Sequence, residues 1–145
     1  MPVRSQPLAL LTIVMVLVAA CPAVAEPPPV AVVAHPAVSA DTLSHQQLRR
    51  IYLGKTTRWE DGRSIHPVLF QGEPVHDHFV REVLGRSPES FSVYWKRMVF
   101  TGKGRPPLAF ERAEALADYV RETPGAIGFL PAPADTAGLK LMALE

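Results

Sequence analysis

His76, Asp77 and His78 stand side by side, and neutral imidazole and carboxylate are both good ligands for a divalent cation. Their spacing works against a shared ion. Residues two apart on a helix project about 200° from one another, so His76 and His78 cannot converge, and no metal site is expected. His35 and His66 fall at the ends of apolar runs, where α/β proteins often carry ligand-binding groups. Neither has an acid or nucleophile at an informative spacing, so both read as solvated or hydrogen-bonded loop residues. A different chemistry is offered by Thr101-Gly102-Lys103-Gly104-Arg105, where two cations alternate with glycines. Such a loop can approach an oxyanion closely and give it charge-assisted hydrogen bonds, although a solvated surface turn has the same composition. The chain has no Gly-x-Ser-x-Gly elbow, Walker loop, paired-acid motif or His-Glu-x-x-His pattern, and its serines lack an evident base. The expectation is a binding module rather than an enzyme, with no cofactor.

The first residues bound where such a module works. Arg4 is followed by an apolar run from Leu8 to Ala20, which is short for a bilayer span, and then by Ala23-Val24-Ala25, the small-x-small pattern of a signal-peptidase site. Residues 1–25 therefore read as a Sec-type signal peptide with cleavage before Glu26, which implies a periplasmic location. A second reading takes Val18-Ala19-Ala20-Cys21 as a lipoprotein signal, with Cys21 acylated. Cys21 is the one cysteine of the chain, so neither reading leaves a disulfide or a thiolate site. Lys and Arg total 15 against 14 Asp and Glu, and no net field favours nucleic acid.

The elements that must position these residues follow from the periodicity. Pro27-Pro28-Pro29 is a stiff lead-in, residues 26–29, and a single domain spans 30–145. The β-branched run Val30–Ala34 reads as a strand covered on both faces, and Ile65–Phe70, Ala126–Leu130 and Leu139–Leu144 read as further strands. Ser44 with Gln47 has the capping-box spacing, and Leu48, Ile51 and Tyr52 share a face, so a helix spans about 44–53 with Gly54 as its stop. A second stripe, Phe79 and Val83 beside Val80 and Leu84, gives a helix from Val75 to Gly85. Ser87-Pro88-Glu89 starts a third helix, with Phe91, Tyr94, Trp95 and Met98 as its buried face. A fourth runs from about Glu111 to Arg121. Alternation of strands and helices predicts an α/β fold, one three-layer domain with a largely parallel sheet and helices on both faces.

Three segments resemble the phosphate-binding proteins of bacterial ABC importers, within the periplasmic-binding-protein superfamily. They are Leu48-Arg49-Arg50-Ile51-Tyr52-Leu53-Gly54-Lys55 with Trp59 and Asp61, then Thr101-Gly102-Lys103-Gly104, then Pro124-Gly125-Ala126-Ile127-Gly128-Phe129. Full-length members have two lobes, and the matching segments belong to one, so the resemblance implies one lobe of a type 2 periplasmic binding protein. In the family, the strand equivalent to Ile65–Phe70 leads into a Gly-Ser-Gly-Thr turn at a helix start that holds phosphate. Here the corresponding turn is Gln71-Gly72-Glu73-Pro74-Val75, in which a carboxylate replaces serine and proline removes an amide donor.

The resemblance thus implies a solute-binding module taking phosphate or a similar small oxyanion weakly. Its ligand residues would be Gln71, Gly72 and His76 from the turn and Thr101, Lys103, Gly104 and Arg105 from the loop. A homodimer would give that ligand a second wall; the alternative is an interaction protein that has lost ligand binding and serves an envelope or sensor complex.

Overall fold

A computed structural model describes residues 29–132 and 134–145; the signal sequence, Cys21 and residues 26–28 lie outside the described residues. The chain runs β1 (Val30–Ala34), β2 (Thr42–Leu43), α1 (His45–Tyr52), β3 (His66–Phe70), α2 (Val75–His78), a π-helical turn (Phe79–Val83), α3 (Pro88–Phe100), β4 (Leu108–Phe110), α4 (Ala113–Glu122), β5 (Ala126–Pro131) and β6 (Lys140–Leu144). All six strands form one sheet in the order β2-β6-β1-β5-β3-β4.

Strand directions are mixed. β3 lies parallel to β4 and β5, and β2 to β6, whereas β1 is antiparallel to both of its neighbours, β5 and β6. A continuous apolar run such as Val30–Ala34 signals burial on both faces and carries no information on direction, so the expected parallel sheet is modified at its centre. Helices cover both faces. On one, the Tyr52 ring of α1 and Phe79 pack on Phe129 of β5, with Phe79 and Phe129 stacked at 3.7 Å between centroids. On the other, Leu116 of α4 lies against Gly128. The Tyr52 hydroxyl is fully buried but donates to the Val68 carbonyl at 2.9 Å, and burial pushes its pKa upward.

Local signals set the element ends. Ser44 and Gln47 form the reciprocal capping box, with Gln47 N–H donating to Ser44 Oγ and Ser44 N–H to Gln47 Oε1. Ser87 Oγ accepts from Ser90 N–H at the head of α3. α4 starts at Ala113, later than expected, because Arg112 is still extended. The helix expected from Val75 to Gly85 is interrupted: Leu84 N–H reaches back five residues to Phe79 O, a widened turn where the apolar stripe foretold a regular one. The described residues share one apolar core, from Val32 to Met142. Among them, no helix is long and apolar enough to cross a membrane.

Candidate functional site

β3 and β4 carry the candidate residues at their two ends. Where they finish, Gln71 N–H donates to Phe110 O at 2.8 Å, which ties the turn to the end of β4. Gly72 follows with the Phe70 ring against its backbone; a Cβ there would sit 2.3 Å from Phe70 Cζ, so a side chain would force the ring to shift. Gly72 O then accepts from His76 N–H and Pro74 O from His78 N–H, which winds the chain into α2. The helix start has no side-chain cap, Pro74 lacks an amide and Val75 is buried. What the turn displays is therefore Glu73, His76 and Asp77, and two of those three are acids.

At the opposite end, α3 finishes in Thr101 and the chain enters β4 at Leu108. The Thr101 hydroxyl donates to Arg97 O at 2.8 Å, so it closes its own helix, and Lys103 N–H returns to Met98 O. Gly104 passes over Trp95 and Met98. The Arg105 side chain lines a small cleft of about 140 Å³ with Gly54, Thr56, Thr57, Ile65, Pro67 and Trp95. Among the described residues, neither Lys103 nor Arg105 is within 4.0 Å of a carboxylate.

The structure does not bring these two groups together. Gln71, Gly72 and His76 lie where β3 ends, and Thr101, Lys103, Gly104 and Arg105 lie near where it begins. Five strand residues at about 3.3 Å each separate them. A groove of about 620 Å³ runs between α3 and the β3–β4 edge, with Gln71 and His76 among its walls and Pro106 and Pro107 also lining it. Most of its surface is apolar, from Leu69, Phe91, Trp95, Val99 and Phe100, and Lys96 also lines it.

Several of these residues escaped the sequence reading. Ser92, Lys96, Val99 and Phe100 recur at helical spacing, a stripe on α3 beside the expected core face of Phe91 and Trp95. Thr56 and Thr57 sat unremarked in a polar loop. The three resembling segments do meet: Trp59 Nε1–H donates to Gly125 O at 3.0 Å, and Trp95 packs against both Gly54 and Gly104. Gly125 has a positive φ of 88°, and a Cβ there would lie 2.2 Å from Ser64 O, so this junction requires glycine.

No protein-family model matches the chain, and no curated protein matches it in sequence. Solved structures match it in fold. An ABC-type phosphate transport receptor from Vibrio cholerae superposes with a TM-score of 0.61 at 17% identity, covering 81% of this chain and 46% of that one. A putative phosphate ABC transporter substrate-binding protein from Clostridium perfringens, solved with bound phosphate, gives 0.62 at 20% identity over 81% and 45%. A possible phosphate-binding protein from Planctomyces limnophilus gives 0.60 at 16% identity over 81% and 42%. This chain thus spans less than half the length of the proteins it superposes on, and its fold is that of one lobe of a phosphate-binding protein.

Proposed function

We propose that the chain is an extracytoplasmic, non-enzymatic binding lobe, exported by residues 1–25, that takes phosphate or a similar small oxyanion weakly at its cationic end. One observation carries this reading: Arg105, without an acidic partner among the described residues, lines a cleft of small-anion size beside the hydroxyl-bearing Thr56 and Thr57. Guanidinium and hydroxyl donors supply charge-assisted and neutral hydrogen bonds to the same oxyanion, and Lys103 adds to the local field. The Gln71–His76 turn is the weaker candidate, because the Glu73 carboxylate stands where an anion would need a donor. An open lobe encloses less of its ligand than a two-walled cleft, hence the weak affinity.

Calorimetric titration of the purified protein with phosphate at low salt tests the assignment. Saturable binding that is weakened in Arg105→Ala and retained in Glu73→Gln supports the cationic end. Absence of heat and of thermal stabilisation at millimolar phosphate overturns it.

A second reading, an interaction lobe that pairs with another copy of itself, is favoured by Phe100. The residue is 92% exposed beside Val99 and the edge strand β4, whose outer backbone edge is unpaired among the described residues. Sedimentation of the wild type against Phe100→Ser separates the readings, since only self-association depends on Phe100.

A further inference from the structure

Away from the Arg105 cleft, one group of side chains brings nitrogen and carboxylate oxygen atoms close together. Glu73, His76 and Asp77 each place one ligand atom so that all three lie within 4.8 Å of one another. His76 Nδ1 is 3.6 Å from Glu73 Oε1 and 3.6 Å from Asp77 Oδ1. Both distances are too long for a hydrogen bond.

We propose that Glu73, His76 and Asp77 form a binding site for a first-row divalent cation, with zinc as the reference ion. Zinc binds nitrogen and carboxylate oxygen at about 2.0–2.2 Å, which sets neighbouring ligands of a tetrahedron about 3.4 Å apart. The two 3.6 Å separations are therefore within a few tenths of an ångström of a loaded site. The backbone explains the convergence. His76 and Asp77 lie in the first turn of α2, and Glu73, one residue before its cap Pro74, belongs to the turn that the His76 N–H to Gly72 O bond folds against that helix.

The three side chains differ in freedom in a way that suits capture of an ion. His76 has a side chain only 19% exposed at the groove wall, so its ring is already held, while Glu73 at 58% can swing to close the remaining gap. One imidazole and two carboxylates fit a borderline ion, whereas magnesium and calcium prefer all-oxygen shells with more ligands. Three protein ligands leave a fourth position for water or another exchangeable group. The ion also offsets the two acids of the turn.

His78, on the same element, is not part of the group, which supplies the control. The purified protein, stripped with a chelator, is titrated with zinc by calorimetry alongside three variants. One saturable site is expected, lost in His76→Ala, lost in the doubly exchanged Glu73→Gln, Asp77→Asn protein, and kept in His78→Ala. Circular dichroism confirms that each variant is folded, and the double exchange at exposed or half-buried positions leaves the core intact. No saturable binding, or equal binding by the wild type and His76→Ala, overturns the site and leaves a histidine that merely neighbours two carboxylates. The ion site and the Arg105 cleft are separate in space, so phosphate binding and zinc binding succeed or fail independently.

Discussion

The turn Gln71–Asp77 and the loop Thr101–Arg105 sit a strand's length apart and carry opposite charge. The turn is built tightly, with Gly72 pressed on Phe70 and the Gly72 and Pro74 carbonyls accepting from α2, and it displays Glu73 and Asp77. The loop is held through Thr101, the Lys103 amide and the packing of Gly104 on Trp95 and Met98, and it displays Lys103 and Arg105. One small ligand cannot use both ends. The segregation teaches that one short strand can hold an acidic and a basic surface apart, each suited to ligands of the opposite sign.

The largest expected effect comes from removing what anchors the basic end. Trp95 lies against Gly54 and Gly104 and donates from Nε1 to Tyr52 O at 3.1 Å. Trp95→Ala should cost about 3–5 kcal/mol in urea unfolding, with phosphate binding lost as well. A loss under about 1 kcal/mol would show that the loop does not depend on that packing. Next comes charge. Arg105→Ala should weaken phosphate binding by about tenfold or more, the effect of one charge-assisted hydrogen bond, and raised salt should weaken the wild type similarly. Equal binding in both proteins would move the anion to the turn. Phe100→Ser should change stability by no more than about 0.5 kcal/mol, as expected for an exposed site, while abolishing any self-association seen by sedimentation. Smallest of all, Glu73→Gln should leave both stability and phosphate affinity within measurement error, because a largely exposed pair with His76 contributes little. A marked gain in phosphate affinity would instead show that the carboxylate was blocking an anion site.

Much of the lobe was legible because its signals are local. The capping box at Ser44, the Ser87 cap with Pro88, and the buried runs at Val30 and Ala126 each rest on residues within a few positions of one another. β2 and β4, at two and three residues, are too short for any alternation to show, and both were missed. The π-helical turn escaped because Phe79, Val80, Val83 and Leu84 make the same stripe on a regular helix. Site geometry was the least legible. Gln71–His76 and Thr101–Arg105 are joined by a returning helix, α3, and nothing in their own composition says that they finish at opposite ends of β3. The Glu73, His76 and Asp77 group was hidden for a different reason: Glu73 stands outside α2, before its cap Pro74, so no helical spacing ties it to the histidines.

β1 has a further consequence for how the molecule comes into being. It sits at the middle of the sheet, yet both of its partners come from the far end of the chain, with Val30 opposite Pro131 and Val32 opposite Met142. Contacts of such long sequence separation close late, after slow loop closure, and leave the central strand unpaired until the last elements have emerged. A polypeptide threaded through a membrane from its N-terminus would therefore stay pliable throughout transit and acquire its core only on release. Cleavage anywhere before β5 would strand β1 as an exposed apolar segment, prone to pairing with whatever edge it met.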